Sequence, residues 1–397
     1  MIYFDNSATS PVSEEVLDAM LPYLKEEYGN PSSKYYSKSI TASNAIEKSR
    51  EQVARLLGVN PREIIFTAGA TESTNFIIKG YMDYRRYYGD GKNHIITSSV
   101  EHKATLNTCK YLAGEIYSND DPTTSLFGKN IKVDRGYEAT FVEPTEYGEI
   151  TKESIQNAIK DNSAMVSTIY VNNEVGTISD VGAIGKLCRD HDIAYHVDLT
   201  QAIGKMRIDV RSLNIDFASC SAHKIYGPKG VGAAILKSDA YGIEPISAFM
   251  HGGEQEFGVR GGTLAVHNIV GFGKAAEIAM RDLNEDLVRI KALDEKVIRG
   301  LLQIPELQLT NPMANRISGI ISIIVRKRDF HNERYIKEIK DKLAISTGSA
   351  CSAGEPSHVI SAMGLNSDVT RILRVSIGKY TTEKDVEELI EIFKETI

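Results

Sequence analysis

Apolar positions along the first two thirds of this chain switch repeatedly between two spacings. Leu17, Met20, Leu21 and Leu24 recur at helical intervals, with Pro22 placed to kink or end that helix. Gly29-Asn30-Pro31-Ser32-Ser33 breaks the pattern as a loop. Ala45, Ile46, Val53, Leu56 and Leu57 then mark a second helix. From there, short continuous apolar runs alternate with helical patterns. Strands are predicted at 63–67, 94–97, 139–142, 165–171, 193–198 and 215–218, with helices at 103–112, at 152–159 and within 178–191. Strands alternating with helices predict a parallel α/β sheet, whose ligand site lies beyond the carboxyl ends of its strands.

Beyond about residue 260 the texture changes. A helical region over 269–302 leads to an apolar run at 317–325 and a further helix. A loop of small residues follows, Ser346-Thr347-Gly348-Ser349-Ala350-Cys351-Ser352-Ala353-Gly354. Pro356 is expected to open another helix, 372–377 reads as a strand, and Thr382 caps a final amphipathic helix. This part reads as a smaller α+β domain. No internal repeat or low-complexity tract is present.

At 397 residues the chain is long for a single core, which predicts two domains. Its 42% hydrophobic and 25% charged content is ordinary globular usage. A net charge of −7 argues against a dedicated nucleic-acid or anionic-membrane surface. The four cysteines, Cys109, Cys188, Cys220 and Cys351, are scattered. They form neither a disulfide framework nor a zinc site and suit a reducing compartment. The N-terminus lacks a basic region followed by an apolar core, and no apolar run spans a bilayer, so a cytoplasmic location is expected.

Candidate chemistry gathers where strands end. The run at 215–218 leads into Ser219-Cys220-Ser221-Ala222-His223-Lys224-Ile225-Tyr226-Gly227-Pro228-Lys229-Gly230. An amine delivered by a strand end into a glycine-rich turn is placed to condense with a carbonyl, as a Schiff-base lysine on pyridoxal phosphate does. Ser221 and His223 are within reach of a phosphate from the same turn. Taken alone, Lys224 reads equally as a surface lysine. Strand 63–67 runs into Ala68-Gly69-Ala70-Thr71-Glu72-Ser73 and a helix start, which either binds phosphate through backbone N–H groups or is a tight turn.

Asp198 closes an apolar strand, where a carboxylate is costly unless paired. A pyridinium nitrogen is such a partner. Gln201, one turn on, is placed for the phenolic oxygen of that ring, and Asn173 is another polar group at a strand end. His102 either stacks on a flat ring and moves protons or is a solvated helix-start residue. Cys351 sits among small polar residues, which predicts an accessible thiol, whereas the other three cysteines read as packing residues. Arg374, inside an apolar strand, suits a clamp on a substrate carboxylate or a structural salt bridge.

Seven runs occur in a fixed order. They are Phe66-Thr67-Ala68-Gly69-Ala70-Thr71-Glu72-Ser73, Glu101-His102-Lys103, Val171-Asn172-Asn173-Glu174, His196-Val197-Asp198-Leu199-Thr200-Gln201, the Ser221–Gly230 run, Arg260-Gly261-Gly262-Thr263 and Gly348-Ser349-Ala350-Cys351. Together they closely resemble the cysteine desulfurases of the NifS/IscS type, within the class V aminotransferases, from about Tyr3 to the C-terminus.

The resemblance implies a homodimeric fold type I enzyme using pyridoxal phosphate. Its large domain, 14–260, would hold a mainly parallel seven-stranded sheet flanked by helices. A smaller α+β domain, 1–13 with 261–397, would carry the Cys351 loop. Lys224 would be the Schiff-base lysine. Ala70, Thr71, Ser221 and His223 would hold the phosphate, with Thr263 reaching it from the partner subunit. Asp198 would pair with the ring nitrogen, Gln201 and Asn173 would flank the ring oxygen and the substrate, and His102 would stack on the ring. Arg374 would hold the carboxylate of L-cysteine, and Cys351 would take the sulfur as a persulfide for a protein acceptor in iron–sulfur cluster assembly or thio-modification.

Three departures from the family pattern stand out. Lys34-Tyr35-Tyr36 replace a histidine that often follows the Gly-Asn-Pro-Ser-Ser run. The loop from Cys351 to Glu355-Pro356-Ser357 is short, which predicts a specialised acceptor. The polar stretch 115–137 is extra. Two competing readings are a selenocysteine lyase or aminotransferase of the same family and a catalytically silent partner subunit. Cys351 separates the first from a desulfurase, and the full set of Lys224, Asp198, His102 and Cys351 argues against the second.

Overall fold

The computed structural model describes residues 1–115, 133–240, 242–348 and 356–397. Cys351 and most of the 115–137 stretch lie outside the described residues. The central sheet is built from β1 (Ile64–Thr67), β2 (His94–Ser98), β3 (Glu138–Val142), β4 (Ser163–Ile169), β5 (Ala194–Asp198), β6 (Phe217–Ser221) and β7 (Gly232–Leu236). Its spatial order is β1-β7-β6-β5-β4-β2-β3, and β7 alone runs antiparallel to its neighbours. Every residue of β4, β5, β6 and β7 is buried, as expected of strands covered on both faces.

The covering comes from α1 (Glu14–Lys25), α2 (Ser37–Leu57), α3 (Ala70–Tyr87), α4 (Lys103–Leu112), α5 (Lys152–Gln156), α6 (Val181–Asp190) and the long α7 (Val266–Leu301). Two apolar clusters fill the faces. One joins Phe66, Val166 and Val197 to Phe272 of α7; the other joins Ile65, Met165 and Phe217 to Phe76 and Ile77 of α3. Among the described residues no helix is long and apolar enough to cross a membrane.

α1 differs from its predicted face. Val16 and Met20 are the buried pair, while Leu17 and Leu24 are exposed. The face is set by close packing on α7, where a Cβ on Gly271 would come within 2.7 Å of the Met20 sulfur. Pro22 lies inside the helix, which continues to Lys25. β7 escaped the pattern because Gly232-Ala233-Ala234 has no strong apolar signature; its glycine is required by close approach, since a Cβ there would stand 2.7 Å from Gly69 Cα.

A second sheet is fully antiparallel, with β8 (Leu307–Leu309), β9 (Ile320–Val325) and β10 (Ile372–Ser376) in that order. α8 (Asn332–Ile339), α9 (His358–Ala362) and α10 (Glu383–Thr396) accompany it. Its core includes Ile321, Leu373, Val386 and Phe393, together with Leu293 and Val297 from the far half of α7. Ile2 and Phe4 belong to the same cluster, so the first residues of the chain pack with the last hundred. Thr382 and Asp385 close the start of α10 with a capping box. α9 begins at His358 with Ser357 as its cap, two residues after the predicted start at Pro356, because the Ser357 hydroxyl accepts the Ile360 N–H.

Candidate active site

Six parallel strands end on one edge of the central sheet, and a cavity of about 600 Å³ opens there. β6 delivers Ser221, followed by a short 3-10 turn, Ala222–Lys224, that turns Lys224 into the cavity. β5 delivers Asp198, the chain beyond β4 delivers Asn173, that beyond β2 delivers His102, and the turn after β1 delivers Ala70 and Thr71. Gln201, His223 and Arg374 also line this space. Eleven of the twelve residues singled out in the sequence fall within the described chain, and ten of those line one cavity. Thr263 is exposed and lies outside the lining, and Cys351 is not among the described residues.

The start of α3 is the anion-binding feature. The first three N–H groups of a helix have no carbonyl one turn back. Gly69 at the cap offers no side chain to occupy them. Its φ of 152° is one that residues with a Cβ rarely adopt. Glu72 is the carboxylate nearest this turn in sequence, and it is neutralised by Arg260 at 2.8 Å and by the Ala68 N–H at 2.8 Å. Positive side chains supply the rest of the field, with Lys103, Lys224, Lys229 and Arg374 all in the lining. His223 is held near pKa about 4, first by burial and then by Lys224, so its ring is a neutral hydrogen-bonding group near pH 7. Its Nδ1 lies 3.1 Å from Thr9 Oγ1.

Lys224 Nζ donates to the carbonyls of Ser7 and Ala8 at 2.6 and 2.7 Å. The N-terminal segment thus reaches the amine, although nothing in its sequence marked it. Asp198 is buried, and one of its oxygens accepts the Thr200 N–H at 2.9 Å. His102 lines the cavity, and at the start of α4 its Nδ1 accepts the Ala104 N–H at 3.1 Å. Burial is the first cause that lowers its pKa, and Asp198 partly offsets it.

Arg374 is almost wholly buried. It pairs with Asp5 at 2.8 Å and donates to the carbonyls of Asn173 and Gly348 at 2.7 and 3.0 Å, so the salt-bridge reading holds. Its Nε is buried without a hydrogen-bond partner, which leaves one donor for a ligand. Thr200 Oγ1 is likewise buried and unsatisfied.

Glu101, Glu174, His358 and Lys205 are among the titratable residues that received no role from the sequence. Glu101 is fully buried beside His102, takes a 2.5 Å hydrogen bond from Ser98, and is pushed up to about 8 by that burial. Glu174 accepts from the Ser357 hydroxyl at 2.6 Å, and burial raises its pKa. His358 lines the cavity with its Nε2 2.9 Å from the Glu101 carbonyl. Lys205 donates to Gln201 Oε1 at 2.8 Å. Glu101 and Glu174 stand in two of the seven recognised runs, but their burial is a tertiary property that the runs do not state.

The chain matches the class-V aminotransferase family over residues 2–116 and 116–389. The cysteine desulfurase IscS of Shewanella piezotolerans is 41% identical over 402 residues, covering 100% of this chain and 92% of that one. The chain belongs to the class-V aminotransferase family, among its cysteine desulfurases of the NifS/IscS type. The fold agrees. A solved NifS-like protein superposes with a TM-score of 0.86 at 32% identity, over 99% of this chain and 98% of its own. SspA in complex with cysteine superposes with a TM-score of 0.76 at 33% identity, over 96% of this chain and 100% of its own.

Enzymes of this class depend on pyridoxal phosphate, and the cavity fits it. The group needs an amine for its aldehyde, free N–H groups for a dianion, and a carboxylate for a ring nitrogen. Lys224, the start of α3 and Asp198 provide them on one strand edge, with unsatisfied donors at Thr200 and Arg374 beside them. The remaining cysteines are packing residues: Cys109, Cys188 and Cys220 are fully buried and burial pushes their thiols up.

Proposed function

We propose that this chain removes sulfur from L-cysteine, releasing L-alanine and leaving a persulfide on Cys351. The observation that carries the reading is the meeting of Lys224, Asp198 and the α3 N-terminus in one cavity. When bound, pyridoxal phosphate supplies an electron sink that weakens the bonds at the substrate Cα and, through it, the Cβ–S bond. The residues do the rest. Lys224 holds the cofactor and moves the proton at Cα. Ala70, Thr71, Ser221 and His223 hold the phosphate, Asp198 keeps the ring nitrogen protonated, and His102 covers the ring. Gln201 and Asn173 border its oxygen and the substrate. Arg374 fixes the substrate carboxylate through its Nε, the donor left without a partner.

The Cys351 thiolate attacks the substrate sulfur, and the Cβ–S bond breaks with its electron pair left on carbon, which takes up a proton to become the alanine methyl. The sulfur stays as the outer atom of the persulfide, so no external oxidant or reductant is required. It is handed to a protein acceptor of iron–sulfur assembly or thio-modification. We place the cofactor in the 14–260 part and Cys351 in the 261–397 part, with residues 1–13 joining the latter. The working unit is a cytoplasmic homodimer in which Thr263 serves the partner's phosphate; its exposure outside its own cavity supports this.

The test is incubation with L-cysteine followed by mass measurement of the Cys351 peptide. The wild type gains one sulfur atom there. Cys351→Ser retains the visible absorbance of the bound cofactor and yields neither persulfide nor alanine. Undiminished alanine formation by Cys351→Ser would assign the nucleophile elsewhere.

A further inference from the structure

The wall behind Lys224 contains a second lysine that the reaction does not use. Lys205 lies one helical turn after Gln201, in the compact turn that follows β5. Its Nζ donates to Gln201 Oε1 at 2.8 Å. Gln201 Nε2 donates onward to the Ser7 carbonyl at 2.9 Å. The same carbonyl accepts from Lys224 at 2.6 Å. Ser7 is itself anchored to the small sheet, where its N–H donates to Ser376 Oγ at 2.9 Å. A relay of three links therefore joins Lys205 to the site amine.

A cation can only donate, and this fixes which end of the Gln201 amide faces Lys205. With the amide reversed, its N–H groups would meet an ammonium and its oxygen would meet the Ser7 carbonyl. Both hydrogen bonds would be lost. In the observed orientation the amide nitrogen uses one hydrogen on Ser7 and keeps a second for the cavity that Gln201 lines. Lys205 itself borders a different cavity, of about 250 Å³, between α7 and the small sheet. Ser7 and Lys224 border both.

We propose that Lys205 is a positioning residue for the cofactor: it locks the Gln201 amide and the Ser7 carbonyl, and through them sets how Lys224 is held. The inference rests on the functional reading above. Charges around Lys205 suit the role. Across its cavity, Arg316 is paired with Asp294 at 2.6 Å and Lys379 with Asp282 and Asp286, so these three carboxylates are engaged by other cations. Burial comes first, then the positive fields of Lys224 and Arg374, in lowering Lys205 to about 7. His223 feels the Lys205 charge in turn. The lysine is thus easily discharged, and the relay is sensitive to its protonation.

The experiment compares wild type, Lys205→Met, Lys205→Arg, Gln201→Leu and the Lys205→Met/Gln201→Leu double variant, each loaded with pyridoxal phosphate. Two readouts are taken besides turnover: the cofactor dissociation constant and the midpoint of the pH titration of its visible absorbance. Lys205→Met is expected to weaken cofactor binding about tenfold and to move the midpoint, while Lys205→Arg restores both. Gln201→Leu loses at least as much as Lys205→Met, since it also removes the amide that faces the cavity, and the double variant adds nothing to the Gln201→Leu loss, because Lys205 acts through that amide. Should Lys205→Met not accumulate as folded protein, Lys205→Gln replaces it, with a smaller loss in the same direction. An unchanged dissociation constant and midpoint, or fully additive losses, overturns the proposal. Failure of the wild type to bind the cofactor would instead overturn the functional reading.

Discussion

Both edges of the central sheet carry a cleft, and the two are built on opposite rules. At the edge where the parallel strands start, a cleft of about 430 Å³ is lined with charge. There Arg211 meets Glu63 at 3.0 Å, Lys237 meets Asp216 at 2.7 Å, and Arg189 donates to Asn214 at 2.6 Å. At the edge where they end, Lys224 donates to two main-chain carbonyls, and Thr200 Oγ1 and Arg374 Nε stay buried without hydrogen-bond partners. Opposed charges that satisfy each other hold a sheet edge shut. Polar groups buried without hydrogen-bond partners cost stability and persist where a ligand completes them. Cleft size alone does not separate the two edges; satisfaction of polar groups does.

The largest effect belongs to Lys224→Ala. Desulfuration should fall by about 10³-fold or more, with loss of the cofactor's visible absorbance, as measured by alanine release and a spectrum. Retained activity would mean that the strand-end edge is no more functional than the opposite one. Asp198→Asn should lower kcat by about 10²-fold while the protein still folds and binds cofactor, because the loss is one of charge at the ring nitrogen. Steady-state kinetics with a thermal unfolding control checks it.

A smaller effect concerns stability. Glu101 has its folded pKa raised from 4.5 to about 8, so the folded protein keeps a proton that the unfolded chain releases. Its contribution is present at low pH and is lost as pH rises through about 8, by ~1.4 kcal/mol per unit at most. Glu101→Gln should flatten the stability profile between about pH 5 and 8, read as urea midpoints. A profile parallel to wild type would contradict the burial argument. His94, His196 and His223, each held near about 4, act oppositely, costing stability as pH falls below their ordinary 6.5.

The smallest effect tests the opposite edge. Lys237 and Asp216 are partly exposed, so Lys237→Ala should cost ~1 kcal/mol or less and leave kcat/KM unchanged. A large loss of activity there would erase the distinction between the clefts.

Much of this was legible in the sequence because it is local. The alternation of β1–β6 with helices, and the turn chemistry around Gly69 and Lys224, are short-range patterns. Nine of the ten predicted residues around the cavity stand in the seven ordered runs, and Arg374 is the tenth. What stayed hidden is tertiary. The carbonyls of Ser7 and Ala8 reach Lys224 across more than 200 positions of chain. Glu101 and Glu174 sit beside recognised residues, yet only packing makes them buried acids. α1 turned its Val16–Met20 pair inward because a glycine on α7 made room, and no periodicity within α1 encodes that.

The most direct measurement is borohydride reduction of the cofactor-loaded protein, followed by peptide mass mapping. The account predicts the pyridoxyl phosphate mass on the peptide containing Lys224, with Lys205 and Lys229 unmodified. Label on either of those lysines, or none at all, would contradict it.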